Sequence, residues 1–291
     1  MIRDMEQSTL TSFLEWAKLT RPWNVLAMGL MVLLVLRWMD YPLEALLHVG
    51  RAGWLVVPML VGAAGNLIND YFDVREDRIN KPERALVGRT VKRRVVVVTH
   101  WGLTIAAICW SGWLSSSIDA SWPLVMVAAF SLILYFYSPV LKGRGAWGNV
   151  AISLCVSGMV IWTGLAATAS DGNWMKLDSA WVAFGLILAG LNFLREWVKD
   201  VQDVEGDRAS GHRTLAAILT TKQTTWLQSL MLILLLALGT WWAFDTVPWG
   251  WNWGPWMVCA PVAFWQSTTK QHTPLSAWLK VLMGSWFVFL I

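Results

Sequence analysis

The sequence predicts an all-α fold, a polytopic transmembrane bundle of about nine helices, from its composition and from the length of its apolar segments. Of its 291 residues, 56% are hydrophobic and 14% are charged, whereas soluble globular domains carry about 25% charged residues. This hydrophobicity also excludes intrinsic disorder. Apolar segments of about 20 residues, the length that crosses a bilayer, recur along the chain. The predicted spans are residues 22–39, 52–71, 95–114, 121–138, 147–168, 180–200, 223–244, 254–269 and 275–291.

The basic residues predict how the bundle is oriented. Residues 1–20 lack the short apolar core of a signal peptide, so we expect a cytoplasmic or interfacial lead-in. Most of the 23 lysines and arginines lie in this lead-in and in the second, fourth, sixth and eighth connections between spans. Because loops rich in lysine and arginine stay on the cytoplasmic side of a membrane, the lead-in and these four connections are expected in the cytoplasm. Residues 21–291 are then expected to form a single multi-pass domain of the cell inner membrane, with tryptophans anchoring its outer ends.

Carboxylates recur with the spacing i, i+3, i+7 at the cytoplasmic ends of the second and sixth spans. The members are Asp70, Asp73 and Asp77 in what we call the first acidic row, and Asp200, Asp203 and Asp207 in the second acidic row. On an α-helix this spacing places all three side chains on one face. Glu196 extends the second row toward the membrane. Two matching rows, four spans apart, predict a bundle with pseudo-symmetric halves.

Grouped carboxylates near a membrane need a positive partner, because like charges repel and ionisable groups are costly there. Mg²⁺ commonly takes one or two carboxylates and completes its shell with water and phosphate oxygens. Two facing rows therefore predict a cradle for a diphosphate bridged by two Mg²⁺ ions. A single row is also typical of a solvated helix end paired with neighbouring arginines, and the repetition of the row favours the metal site.

Basic residues flank both rows on the same predicted side of the membrane. The candidates for diphosphate binding are Arg21, Arg78, Lys81, Lys142, Lys199, Arg208 and Arg213. Cations in these positions would neutralise a departing diphosphate. The positive-inside rule predicts basic cytoplasmic loops without any catalytic role, and this alternative stays open for each of these residues.

At these positions the sequence resembles the UbiA superfamily of intramembrane prenyltransferases. The family pattern Asn-Asp-x-x-Asp-x-x-x-Asp is matched by residues 69–77. The second family motif is matched by residues 199–207, which read Lys-Asp-x-x-Asp-x-x-Gly-Asp. Residues 21–24 and 137–142 resemble the signatures of the first and fourth helices. The resemblance covers the chain from about residue 20 to its end.

The resemblance implies Mg²⁺-dependent transfer of a prenyl group from an isoprenyl diphosphate, expected to be geranylgeranyl diphosphate, to a membrane-associated acceptor. Asn69 would join both acidic rows as a metal ligand, and loops at about 78–94 and 208–222 would cap the site. The residues expected to contact substrate are Asn24, Asn66, Tyr137, Arg195 and Glu196. Membrane lipids are expected partners, and no nucleic-acid-binding motif is present in the sequence.

The sequence leaves the identity of the prenyl acceptor undecided. Residues 195–207 are most similar to the branch that prenylates the glycerol hydroxyl of geranylgeranylglycerol phosphate, and an aromatic acceptor of quinone biosynthesis, such as 4-hydroxybenzoate or a naphthoate, is the alternative. A divalent-cation transporter is an alternative of another class, because acids within membranes often mark ion paths. Transporters, however, tend to place such acids near the midplane on broken helices.

Overall fold

The computed structural model describes residues 14–80, 82, 83, 85–169, 179–246, 253, 256, 257, 260–262 and 272–285. In these residues the chain is predominantly helical, which confirms the predicted all-α class. The numbered elements, in chain order, are α1 (Pro22–Trp38), α2 (Val49–Phe72), α3 (Val74–Asn80), α4 (Arg93–Ser117), α5 (Trp122–Phe136), β1 (Arg144–Gly145), α6 (Trp147–Ala169), α7 (Ser179–Gln202), α8 (Val204–Ala209), β2 (Arg213–Thr214), α9 (Leu215–Ile218), α10 (Thr221–Thr246) and α11 (His272–Ser285). A 3-10 helix (Leu43–Leu47) and a π-helical turn (Tyr137–Leu141) complete the set.

Six helices in the described part of the chain are long and apolar enough to cross a membrane: α2, α4, α5 with its π-helical turn, α6, α7 and α10. Their bounds agree with the predicted spans within about three residues at each end. α1 is apolar and shorter, with 17 residues. Most of the predicted eighth span, 254–269, lies outside the described residues, as do residues 1–13 of the lead-in and 286–291 of the ninth span. The helix count of about nine is therefore approximate.

The chain forms two compact units. Unit 1 comprises Met1–Leu30 and Glu44–Val140, and unit 2 comprises Met31–Leu43 and Leu141–Ile291. Each unit contains one acidic row. The predicted organisation, a lead-in of residues 1–20 followed by a single domain of residues 21–291, stays a prediction.

Close helix packing in unit 1 sets the position of the chain that enters α1. A side-chain carbon added to Gly29 would lie 2.9 Å from the Met59 sulfur, and one added to Gly62 would lie 2.5 Å from the Met28 sulfur. Glycine thus lets α1 and α2 approach closely, as small residues do in membrane helix pairs. The antiparallel register of these contacts brings the residue before α1 beside the C-terminal part of α2.

In unit 2, α7 packs against α6, α10 and α11. The ring of Phe184 is fully buried and stacks on Trp242 of α10, with 5.2 Å between ring centroids. The Trp242 indole donates a hydrogen bond of 2.9 Å to the carbonyl of Ala180. Leu235 of α10 packs directly against Gly190, where an added side-chain carbon would overlap it. These contacts hold α7, which carries the beginning of the second acidic row.

Both acidic rows lie where a long helix is interrupted at one residue. Asp73 separates α2 from α3, and its N–H donates to the carbonyl of Asn69 over 2.9 Å. Asp203 separates α7 from α8 in the same way, and its N–H donates to the carbonyl of Lys199 over 2.9 Å. In each row the N–H of the third aspartate donates to the carbonyl of the second. The helical hydrogen bonding therefore continues through both interruptions, and the repeat predicted from spacing is present in the backbone.

The packing of α2 on α4 makes Gly53 sensitive to substitution. An added carbon at Gly53 would lie 2.7 Å from the Trp110 indole nitrogen, whereas one at Gly102 meets nothing within 4 Å. We expect Gly53→Ala to lower the free energy of unfolding by about 1–3 kcal/mol, the usual cost of overpacking. Gly102→Ala is the matched control and should not lower stability, because alanine is favoured over glycine inside a helix. Thermal unfolding in detergent measures both, and equal stability of the two variants would contradict the packing described.

Candidate active site

The first acidic row is paired with the chain that enters α1. Arg21 donates a hydrogen bond of 2.6 Å to a carboxylate oxygen of Asp70, whose side chain is 14% exposed. Asp73, one turn further along, is buried. Arg21 was predicted to bind diphosphate, and the structure brings it beside the first carboxylate of the row. The pair offsets the negative charge that the row places at the end of an apolar helix.

The backbone at Arg21 is held in an unusual conformation. Its φ of 53° lies in the left-handed region, which costs a residue with a side chain of order 1 kcal/mol or more. The carbonyl of Arg21 accepts hydrogen bonds from the N–H groups of Asn24 and Val25 at the start of α1. The Asn66 side-chain amide donates to the carbonyl of Thr20 over 2.9 Å. Asn66, predicted to contact substrate, thus ties this turn to α2, while the predicted Asn24 is exposed.

The π-helical turn adds a residue that the sequence analysis missed. The hydroxyl of Ser138, which is buried, donates a hydrogen bond of 2.6 Å to the side-chain oxygen of Asn69. This contact orients an amide predicted to be a metal ligand. The signal was present in the sequence, since Ser138 lies between Tyr137 and Lys142 in the fourth-helix signature. Both of those predicted residues are half-buried.

Part of the loop predicted to cap the site lies beside the first row. Asp70 and Asp77 line one small pocket together with residues of the 85–87 segment. Val87 and Val91 of this loop are buried in a cluster with Leu67 of α2. The guanidinium of Arg78, an exposed residue, lies close to the turn at Gly88, whose φ is 78°. Lys81 and Arg84 lie outside the described residues.

The second acidic row is supported by side chains of unit 2. The Asn149 amide donates a hydrogen bond of 2.9 Å to Asp200. Asp207 is 1% exposed, and its carbonyl accepts a hydrogen bond from the N–H of His212 over 2.9 Å. Asp203, at the interruption between the helices, is half-buried. Asn149 was not among the predicted site residues, although it follows the fourth-helix signature in the sequence.

Glu196 lies between two cations. Arg195 and Lys199 each donate a hydrogen bond of 2.6 Å, one to each oxygen of this buried carboxylate. The sequence analysis expected Glu196 to extend the second acidic row and Lys199 to bind diphosphate. In this structure Glu196 and Lys199 form one ion-pair network with Arg195, and their predicted roles stay predictions. The spacing of three residues along α7 makes this pairing possible.

The remaining basic candidates of unit 2 lie at the surface. Arg208, at the end of α8, is exposed, and Arg213 is exposed on β2. β2 pairs in parallel with β1, so that Arg213 lies opposite Arg144. The structure therefore connects the loop after the fourth predicted span with the loop after the second acidic row.

The sequence profile described as the UbiA prenyltransferase family matches residues 25–286. The chain belongs to this family. The predicted enzyme class, a prenyltransferase, is therefore confirmed, and so is an integral multi-pass membrane protein with six candidate spans in its described residues. Family membership also sets aside the transporter alternative.

Two similar proteins are both named digeranylgeranylglyceryl phosphate synthase. A digeranylgeranylglyceryl phosphate synthase of Korarchaeum cryptofilum is 36% identical over 185 residues, which cover 64% of this chain and 60% of that protein. The synthase of that name from Methanothrix thermoacetophila is 32% identical over 231 residues, which cover 78% of this chain and 79% of that protein. The first match thus spans less than two thirds of the Korarchaeum protein.

Solved structures show the same fold for this UbiA family member. A structure of digeranylgeranylglyceryl phosphate synthase in membranes superposes with a TM-score of 0.69 at 21% identity, covering 96% of this chain and 98% of that one. A UbiA homolog from Archaeoglobus fulgidus, bound to DMAPP and Mg²⁺, superposes with a TM-score of 0.56 at 13% identity, covering 95% of this chain and 99% of that one. At these identities the similarity concerns the fold.

The donor atoms of this UbiA family member fit Mg²⁺ in their chemistry. Among the described residues, no three or more His, Cys, Asp or Glu side chains are grouped closely enough to hold a metal ion. Mg²⁺ does not require such a group, because it uses one or two carboxylates and leaves other positions to water and substrate phosphate. Both rows, with the Asn69 amide, present only oxygen donors. This set is suited to a hard cation.

The Glu196 network predicts a strong effect on stability. Replacing Glu196 by Ala leaves two partly buried cations without their shared carboxylate, and breaking such a pair costs about 3 kcal/mol or more. We expect Glu196→Ala to lower the free energy of unfolding by about this amount. Glu205→Ala removes an exposed carboxylate of α8 and is the matched control. Chemical unfolding in detergent compares the two, and an equally small loss in both would show that the network contributes nothing to stability.

Proposed function

We propose that this protein transfers a geranylgeranyl group from geranylgeranyl diphosphate to the glycerol hydroxyl of geranylgeranylglycerol phosphate, using Mg²⁺. The observation that carries the proposal is the pair of acidic rows, each built on the same one-residue interruption of a long helix. The names of the relatives support the glycerol-lipid acceptor over the aromatic alternative. The A. fulgidus homolog bound to DMAPP and Mg²⁺ supports the donor class and the metal.

The acidic rows and Asn69 would hold two Mg²⁺ ions on the diphosphate. When bound, Mg²⁺ stabilises the negative charge that develops on the leaving diphosphate. The basic residues that we propose as additional diphosphate contacts are Arg21, Arg78, Lys81, Lys142, Lys199 and Arg208. Two of them already lie against carboxylates in this structure, since Arg21 contacts Asp70 and Lys199 contacts Glu196. Substrate binding would then compete with these pairs.

The reaction exchanges one carbon–oxygen bond for another. The bond between C1 of the prenyl chain and the diphosphate oxygen breaks, and its electron pair leaves with the diphosphate. The acceptor hydroxyl donates a lone pair to C1, forming an ether, and its proton passes to water or to a carboxylate. Aromatic faces can stabilise the allylic cation as it forms, and Tyr137 lies next to Ser138, the residue that orients Asn69.

The site is proposed to face the cytoplasm at the inner membrane. The support is the distribution of lysine and arginine, which favours a cytoplasmic N-terminus and cytoplasmic connections next to both rows. The loops at about 78–94 and 208–222 would cap the site. Packing of Val87 and Val91 against Leu67 supports this role for the first loop.

An acceptor panel tests the proposed function directly. Purified protein with Mg²⁺ and geranylgeranyl diphosphate is incubated separately with geranylgeranylglycerol phosphate, 4-hydroxybenzoate and a dihydroxynaphthoate, and the products are identified by mass. We expect digeranylgeranylglyceryl phosphate as the main product. Prenylation of an aromatic acceptor alone would overturn the acceptor assignment, and transfer that persists in excess chelator would overturn the role of the metal.

Substitutions in the two rows test the proposed site. Asp73→Asn and Asp203→Asn each remove one charge at an interruption, and we expect kcat to fall at least about 100-fold because stabilisation of the leaving group is lost. Asp119→Asn is the matched control, since Asp119 is exposed outside the rows and Asn tolerates its left-handed backbone. Steady-state rates of prenyl transfer decide the test. Near wild-type rates in both row variants would rule out this site.

A further inference from the structure

Two arginines from distant loops lie side by side on the surface of unit 2. Arg144 on β1 and Arg213 on β2 are partners in the register of the parallel two-stranded sheet. Neighbouring strands lie about 4.8 Å apart, and residues in register point to the same face. Both side chains are exposed, whereas the next residue of β2, Thr214, is 1% exposed. The two guanidinium groups therefore project from the same outer face of the sheet.

The two guanidinium groups repel each other unless an anion binds between them. Like charges directly opposite each other destabilise a strand pair, and neither guanidinium forms an ion pair or a side-chain hydrogen bond with the residues that the structure describes. An exposed strand pair of two residues gains little from its own backbone hydrogen bonds. A ligand with several acceptor oxygens would turn the repulsion into binding, since guanidinium groups bind phosphate through two parallel hydrogen bonds.

A backbone hydrogen bond and close packing join the two loops that carry the pair. The Arg213 N–H donates to the carbonyl of Gly143 over 3.0 Å. The His212 ring lies so close to Gly143 that an added side-chain carbon there would be 2.7 Å away. Gly145 and Gly211 have φ values of 61° and 80°, conformations that glycine adopts without strain. Glycines therefore occupy the positions where these two loops need a positive φ or a close approach.

The pair is also connected to the second acidic row. The N–H of His212, the residue before Arg213, donates to the carbonyl of Asp207 over 2.9 Å. Asp207 is the buried third member of that row. A phosphate held by the pair would therefore lie near the end of the second acidic row, whose carboxylates are proposed to hold the diphosphate. A glycerol phosphate needs this arrangement, because its charged end must stay hydrated while its hydroxyl reaches the reacting carbon.

We propose that Arg144 and Arg213 together bind the phosphate monoester of the acceptor. The inference rests on the proposed function and names the subsite that selects a phosphorylated acceptor. It also assigns Arg213 to the acceptor, whereas the sequence analysis assigned it to the diphosphate. A phosphate of a membrane lipid headgroup has the same chemistry, and the experiment below separates the two sources.

Kinetics of the variants Arg144→Gln, Arg213→Gln and the double variant test the pair. We expect KM for geranylgeranylglycerol phosphate to rise about 10-fold in each single variant, with KM for geranylgeranyl diphosphate within about twofold of the wild type. Arg51→Gln, an exposed arginine at the start of α2 and outside the proposed site, is the matched control and should change neither constant. A rise in KM for the diphosphate instead of the acceptor would overturn the assignment.

Binding gives a readout that does not depend on turnover. We expect the wild type to prefer geranylgeranylglycerol phosphate over geranylgeranylglycerol, and the double variant to bind the two equally. Binding of both glycerol lipids is measured in nanodiscs of phosphatidylcholine alone, and again in nanodiscs that also contain phosphatidic acid. If the double variant loses the preference for the phosphorylated lipid in both kinds of nanodisc, the pair binds the acceptor. If the loss occurs only in nanodiscs with phosphatidic acid, the pair binds lipid headgroups and the proposed acceptor site is overturned. A wild type that prenylates no glycerol lipid refutes the proposed function, and the binding preference still tests the pair.

Discussion

Carboxylates at the end of an apolar helix must be compensated, and this electrostatic constraint determines how both candidate sites are built. In unit 1 the compensation comes from Arg21, which is held in a left-handed backbone conformation against Asp70. In unit 2 it comes from the Asn149 amide at Asp200 and from the two cations that share Glu196. In each unit, side chains of that unit thus compensate part of the negative charge of its acidic row. These pairs are also the contacts that a bound metal and diphosphate would have to replace.

The two rows share a backbone solution and differ in their surroundings. At Asp73 and at Asp203 a long helix is interrupted for one residue while its hydrogen bonding continues. This repeat explains why the same spacing of aspartates recurs in both halves of the chain. The partners are not repeated, since Ser138 orients an amide in unit 1 and His212 anchors the end of the row in unit 2.

Basic residues that look alike in the sequence have different environments in the structure. Lys199 and Arg195 are engaged with a buried carboxylate, while Arg144 and Arg213 are exposed and side by side. A count of positive charge predicts orientation in the membrane but not which cations are available to a substrate. The exposed pair is joined to the second row, because His212, the residue before Arg213, donates a hydrogen bond to the carbonyl of Asp207. Under the proposed function, selection of the acceptor and stabilisation of the leaving group would rest on separate arginines.

The sequence by itself determined the spans, the two acidic rows and the family, because the length of an apolar segment and the spacing of charges on a helix are local properties. Those features depend only on bilayer thickness and helical period. Only the tertiary structure decided that Ser138 binds Asn69, that Asn149 binds Asp200 and that an arginine on β1 lies opposite one on β2. These partners are far apart in the chain, and they meet because of helix packing and strand register, which no local pattern of residues records.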